Sequence, residues 1–306
     1  MTGDVFPYAS AQAFGAALTD RFRQLATNSG HTASQLWRQF AYDRLLARLF
    51  HNGSREWILK GGVSMIARLG RARHTADVDL AARADSVDDA LTALQEAANK
   101  DLGDFFTFRF EPPRALIQGL PGLRLPTEAW LGHRMFERFG IDLVIGATPT
   151  APIESAPPLL PLVIEGLIRP PYRLYPLVDS IADKVMATIE PHHGRPSTRF
   201  RDLVDLVIIA HSKQVDADEL AKAFTSERLR RSVPGTDQFQ VPDESRWRNG
   251  YRTAAADVSS VAEKTLPEAL HLAKQFIDPV LSGSISSGVW DCAKLTWQPD
   301  RSQGER

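Results

Sequence analysis

Cysteine is nearly absent from this chain: Cys292 is the only one in 306 residues. A disulfide framework and a cysteine-built zinc site are thereby excluded, because each needs several sulfurs. Long apolar runs are missing as well. Nothing approaches the ~18 uninterrupted apolar residues of a membrane helix. The opening, MTGDVFPYAS, carries an early acid and no basic stretch ahead of an apolar one, unlike a secretory leader. These absences predict a soluble protein of a reducing, cytoplasmic setting, with no membrane partner. Excess charge of either sign is lacking too, since 36 Lys and Arg oppose 37 Asp and Glu for a net −1. A global pull toward polyanions is excluded, so any nucleic acid must be held by a local patch. What remains is ordinary globular composition, 43% hydrophobic and 24% charged.

Proline is unevenly spread. Eight prolines fall between Pro149 and Pro176, too many for a helix interior or a central strand. A domain boundary is expected there, with 1–155 as one domain and 156–306 as the other. Ahead of it, Ala11 to Ala26 and Ser34 to Phe50 have helical apolar spacing, with Thr32 or Ser34 as the second cap. Trp57-Ile58-Leu59, then Lys60-Gly61-Gly62, then VSMIARLG reads as strand, glycine turn, helix. Ala76 to Leu80 alternates acid and aliphatic, as a strand does, and Val87 to Asn99 is helical. Phe106, Phe108 and Phe110 alternate on a further strand, and a hairpin is expected from Glu128 to Gly146. Beyond the prolines the patterns are helical: Leu177–Ile189, Arg199–His211, Ala217–Phe224, Asp243–Val258 and Leu266–Val280.

Successive side chains on a strand point to opposite faces, so Asp77 and Asp79 project the same way. Two carboxylates side by side repel unless a cation sits between them. Magnesium takes oxygen ligands, and two such ions can bridge paired acids and nucleotide phosphates. Asp142, between Ile141 and Leu143, is a third acid on a separate apolar strand. A pair of exposed acids on a sheet edge is the plainer alternative for Asp77 and Asp79. Gly61-Gly62 lets backbone approach a phosphate at a helix start, where free N–H groups attract anions. Ser64 offers a hydroxyl there and Lys60 a charge; a tight turn without ligand is the alternative. In the second half, Lys184 follows Asp179 and Asp183, while Asp202 and Asp205 share one helix face at i, i+3. An interhelical salt bridge between Lys184 and Asp202 is the structural alternative to a phosphate contact.

The run Leu59-Lys60-Gly61-Gly62-Val63-Ser64, then Arg68, then Arg73-His74-Thr75-Ala76-Asp77-Val78-Asp79-Leu80 resembles the first motif of DNA-polymerase-β-like nucleotidyltransferases. Its K-G-G and R-x-T-x-D-V-D form is similar to AbiEii/AbiGii-type bacterial toxins. Tyr175 to Ala187 resembles that family's lysine motif, and Arg201 to Leu206 its final aspartate motif. Val63 and Thr75 depart mildly from the commoner Thr or Ser and Ser. The resemblance implies an α+β fold: a polymerase-β-like core, a mixed sheet flanked by helices, and a mostly helical C-terminal domain. It implies an NTP substrate, two Mg²⁺ on Asp77, Asp79 and Asp142, and phosphates gripped by Lys60, Gly61, Gly62, Ser64, Arg73 and Thr75. Lys184 would neutralise charge on the leaving group, with Asp202 orienting it or acting as a base. The implied acceptor is RNA, a tRNA 3′ end first among them, and the implied partner is an antitoxin on a separate chain. A transferase that modifies protein, or a nucleotide-binding module without catalysis, stays open beside this.

Other candidates weigh less. His192-His193 reads as a loop rather than a metal site. Arg228, Arg230 and Arg231 read as a solvated basic face that could hold an RNA backbone, as could Arg195, Arg199 and Arg201. The six tryptophans show no period and are expected in the core.

Overall fold

The computed structural model describes residues 6–29, 31–70, 75–117, 119–191, 194–256, 258–259 and 261–299. They divide into two units, one within Met1–Gly70, His74–Ala147 and Glu154–Leu174, the other within Thr148–Ile153 and Tyr175–Arg306. In the first unit, helix α1 (Ala11–Ser29) precedes α2 (Ala33–Leu49). Thr32 starts α2 with a reciprocal cap: its hydroxyl accepts from the Gln35 amide at 3.2 Å, and its own amide donates to Gln35 Oε1 at 2.8 Å. The helix is then buried nearly all round. Even Arg44 and Arg48 are inside, and both donate to Asp104, at 3.2 Å and 2.7 Å. Buried charges survive only when paired in this way. Asp43, also buried, accepts from the amides of Leu159 and Leu160, from Arg169 and from the Tyr172 hydroxyl.

The chain continues through β1 (Trp57–Lys60), α3 (Gly61–Leu69), β2 (Asp77–Ala82) and α4 (Val87–Ala98). Then come β3 (Phe106–Phe110), β4 (Arg114–Ala115), β5 (Gly122–Leu131), β6 (Arg134–Ile145), β7 (Glu154–Ala156) and β8 (Tyr172–Leu174). These strands form one mixed sheet in the order β3-β5-β6-β2-β1-β8-β7, with β4 on the edge of β5. β2 and β6 run parallel, whereas β5–β6 and β1–β2 are antiparallel. The fold is therefore the mixed sheet flanked by helices that the resemblance implies. Residues 156–174, expected in the second domain, lie with the first unit, because β8 pairs with β1 and β7 with β8.

Strand alternation decides where the acids point. Val78, Leu80, Leu125, Ile141 and Leu143 are fully buried, each worth about 1.5–3 kcal/mol on burial. Their inward packing forces Asp77, Asp79, Arg124 and Asp142 onto the opposite face. A one-residue slip of β2 would bury both its acids, so the register is strongly held.

The second unit contains α5 (Leu177–Ile189), α6 (Phe200–Ser212), β9 (Val215–Asp216), α7 (Ala217–Arg231), α8 (Glu244–Ala256) and α9 (Leu266–Leu281). The strands β10 (Val289–Asp291) and β11 (Thr296–Gln298) join β9 in a small sheet that the helical patterns had not announced. Tryptophans are core residues here: the Trp247 indole donates to the Ser197 carbonyl at 2.9 Å and the Trp290 indole to that of Ala210 at 2.8 Å. No helix among the described residues is long and apolar enough to cross a membrane.

Candidate active site

Lys60 ends β1 and Gly61 begins α3 with no side chain capping the new helix. Gly61 has φ +59°, the left-handed region that disfavours residues with a Cβ. Crowding adds a second reason. A Cβ on Gly61 would lie 1.8 Å from Asp79 Oδ2, and one on Gly62 would lie 2.8 Å from Cβ and Oγ1 of Thr75. The pairing of Lys60 with Asp79 across β1 and β2 brings the turn against the acid. Both glycines therefore make room for side chains of the β2 segment, a role the dipeptide alone did not reveal.

Asp79 stands directly across from Asp142, and Asp77 across from Gly140, in the parallel pairing of β2 with β6. Gly140 is again a seat: a Cβ there would come within 2.5 Å of Asp77 Oδ1. All three acids thus share one face of the sheet. On the far side of β6, Arg124 of β5 pairs with Asp142. Its Nε donates to Asp142 Oδ1 at 2.8 Å, while Nη2 donates to Asp142 Oδ2 at 3.1 Å and to Asp77 Oδ2 at 2.7 Å. Burial pushes the Asp142 carboxyl above its ordinary value; Arg124 opposes that rise and Asp77 adds to it. The hydrogen bond to Asp142 in turn raises Arg124.

Two hydroxyls complete the turn. Ser64 donates to the Gly61 carbonyl at 2.8 Å, and Thr75 to the Asp77 carbonyl at 3.2 Å. The buried Tyr42 donates to the Thr75 carbonyl at 3.2 Å. Ser64 and Thr75, expected at the phosphates, thus use their donors to shape the turn and the start of β2. Arg68 of α3 is held by Glu154 at 2.9 Å. Arg73 lies outside the described residues, as do His192 and His193. Beside Asp77 opens a cleft of about 340 Å³ lined by Arg38, Glu111, Arg124, Arg138 and Gly140 among others.

The second unit carries its own charged cluster. Lys184 of α5 is buried and donates to Asp202 at 2.9 Å and to Asp205 at 2.6 Å, both on α6. Burial pulls the Asp202 carboxyl up, but Lys184 and Arg199 outweigh it and hold the group below the usual carboxylate range. Asp179 turns elsewhere, accepting from the amides of Thr150 and Ala151 and from the Thr150 hydroxyl. Asp183 receives Arg231 at 2.6 Å. Arg231 also reaches Glu190 and Glu227, and Arg230 pairs with Glu227. These two arginines are tied into α7 and α5, so the expected solvated basic face is corrected to a set of intramolecular ion pairs.

The sequence model described as nucleotidyl transferase AbiEii toxin, type IV TA (toxin–antitoxin) system, matches residues 44–275. The chain belongs to the AbiEii nucleotidyltransferase toxin family. No curated protein sequence matches it. Among solved structures, a presumed nucleotidyltransferase from H. pylori is 14% identical with a TM-score of 0.45, covering 83% of this chain and 97% of its own. JHP933 from Helicobacter pylori gives the same identity, TM-score and coverage of this chain, with 94% of its own.

As an AbiEii-family member this protein is a nucleotidyltransferase of a toxin–antitoxin system, with an NTP as substrate and an antitoxin as its counterpart. Its three acids supply oxygen donors of the type divalent magnesium prefers, and Gly61 and Gly140 make room for the carboxylates of Asp79 and Asp77. Among the described residues no three His, Cys, Asp or Glu side chains close into a ready metal cluster. The position between Asp77 and Asp142 already accommodates a cation, the Arg124 guanidinium. A divalent ion therefore fits the donor set, in competition with Arg124. Arg124, Arg38 and Arg138 were not among the residues the motifs singled out.

Proposed function

We propose that this AbiEii nucleotidyltransferase moves a nucleoside monophosphate from an NTP to an RNA acceptor, a tRNA 3′ end, and releases pyrophosphate. The observation that carries the reading is the convergence of Asp77, Asp79 and Asp142 on one sheet face, two of them seated over glycines. Asp77, Asp79 and Asp142 would hold two Mg²⁺, which when bound supply positive charge at the reacting phosphates. The acceptor hydroxyl oxygen attacks the α-phosphorus, the bond to the bridging oxygen breaks, and pyrophosphate carries away that electron pair. Asp142 would take the hydroxyl proton, or hold the metal that activates the hydroxyl so that the proton passes to water. The uncapped amides at the start of α3 face the β- and γ-phosphates, with Lys60 nearby in sequence and Ser64 holding the turn. In-line displacement asks for little beyond positioning and charge. For Lys184 we propose charge neutralisation on the leaving group, and for Asp202 orientation of Lys184, a role its 2.9 Å contact supports. We place the reaction in the cytoplasm, where NTP and tRNA are found.

The test is incubation of the purified protein with each α-³²P NTP, Mg²⁺ and total RNA or lysate. A labelled tRNA band is the expected result, lost in Asp79→Asn and on chelation of the metal. Label on a protein band would mean a protein-modifying transferase. Binding of nucleotide without any labelled product would mean a non-catalytic module.

A further inference from the structure

Arg124 is an unusual neighbour for a site that takes divalent cations. Its guanidinium grips Asp142 with two donors and reaches Asp77 with one of them, at 2.7–3.1 Å. The backbone dictates this arrangement. Arg124 faces Asp142 across β5 and β6, while Asp142 faces Asp79 across β6 and β2, so the arginine points onto the acids' own face. Among the described residues, β5 gives Asp77 and Asp142 a shared positive charge, that of Arg124. Arginine does not give up its proton in proteins, so this charge cannot be switched off by pH near neutrality. A divalent ion that bridges Asp77 and Asp142 would meet the guanidinium at the same place and be repelled by its charge.

We propose that Arg124 is the acid cluster's built-in counter-cation: it keeps Asp77 and Asp142 together before metal arrives, must swing off them for a divalent ion to enter, and so sets how tightly the site holds that ion. This rests on the reading that Asp77, Asp79 and Asp142 are metal ligands. The side chain has somewhere to go. It is 46% exposed and lines the cleft of about 340 Å³ beside Asp77. Only the guanidinium has to rotate; the β5–β6 pairing that carries it stays in place. The consequence is a trade. The arginine relieves acid–acid repulsion in the metal-free protein, and it lowers apparent metal affinity, because the open state is only a fraction of the population. Arg124 is thus a positioning residue for the ligand carboxylates.

The experiment uses the full-length protein, with Mn²⁺ as the probe and free Mn²⁺ followed by electron paramagnetic resonance. Arg124→Gln keeps polarity and removes the charge; Arg124→Lys keeps the charge and loses the fork. Arg124→Gln should bind Mn²⁺ about tenfold more tightly than wild type, a modest charge-pair effect, with Arg124→Lys between the two. Metal-free Arg124→Gln should melt lower than wild type and gain more degrees on adding Mn²⁺. Equal or weaker Mn²⁺ binding by a folded Arg124→Gln overturns the proposal and leaves the ligand assignment standing. Absence of Mn²⁺ binding in both proteins overturns the ligand assignment and this proposal with it. If Arg124→Gln does not fold, the wild-type Arg124 Nε–H NMR signal, assigned through its loss in Arg124→Lys, decides. It should shift on titration with Mg²⁺, and a signal unmoved at saturation overturns the proposal.

Discussion

The Oδ2 atom of Asp79 lies where a side chain on Gly61 would begin: a Cβ there would be only 1.8 Å away. The glycine of the turn and the acid of the next strand are therefore one device. Gly61→Ala should displace the Asp79 carboxylate and also place alanine at φ +59°, where a Cβ costs roughly 1–2 kcal/mol. We expect loss of that order in urea unfolding, together with a fall in transfer rate of at least ~100-fold, the rate equivalent of about 3 kcal/mol. Wild-type turnover in Gly61→Ala would show that Asp79 acts from another position.

Asp79→Asn separates chemistry from folding. Asn keeps the shape of the side chain on a face that carries Asp77, Asp79 and Asp142, so the variant should still fold and unfold cooperatively. Nucleotidyl transfer should become undetectable, since a metal ligand has gone. A variant that melts normally and keeps its turnover would remove Asp79 from the site.

Much of this was legible in the residues. The alternation Asp77-Val78-Asp79-Leu80 and the strand Ile141-Asp142-Leu143 fixed both the core and the acid face, and the glycine turn placed α3. Arg124 was not legible, for a specific reason. Near its turn, the β5–β6 hairpin pairs Leu131 with Arg134, and counting back from there sets Arg124 opposite Ile141, on the core side. A bulge between Ala129 and Trp130 shifts the register by one residue and delivers Arg124 to Asp142. The buried pairs of Arg44 and Arg48 with Asp104 were hidden for a different reason, since charged residues on a helix ordinarily read as its wet side.

Thr75 is buried, and its hydroxyl bonds the Asp77 carbonyl at 3.2 Å. Thr75→Val keeps the shape and deletes that bond, so stability should fall by about 1 kcal/mol. The start of β2 loses a tether there, and turnover should fall with it while the NTP KM stays near wild type. A rise in KM alone would assign the hydroxyl to the nucleotide instead.

Lys184→Met leaves Asp202 and Asp205 buried without their shared lysine, which should cost about 3–5 kcal/mol of stability. The triple change Lys184→Met, Asp202→Asn, Asp205→Asn removes the two buried negative charges along with the lysine's and should recover most of that. Activity distinguishes the roles. If Lys184 serves the leaving phosphates, the triple variant stays inactive although it melts near wild type. Recovery of turnover alongside stability would make the lysine purely structural.

Acid should weaken the second unit through Asp202. Its carboxyl is buried, which alone would raise its proton affinity, but Lys184 and Arg199 reverse the sign and hold it below the usual range. A group with a lowered native pKa binds fewer protons folded than unfolded, so it contributes stability above its unfolded value, about 3.9. That contribution is complete above roughly pH 5 and drains away as the pH falls through 3.9 toward the lower native value. Asp202→Asn cannot titrate and still leaves Lys184 its 2.6 Å partner Asp205, so the variant should fold. Urea unfolding of both proteins across this range is the measurement. Wild type should be the more stable at neutral pH, and the gap should narrow steadily on acidification. A gap that stays constant down to the acid limit would show that Asp202 does not change its protonation on unfolding.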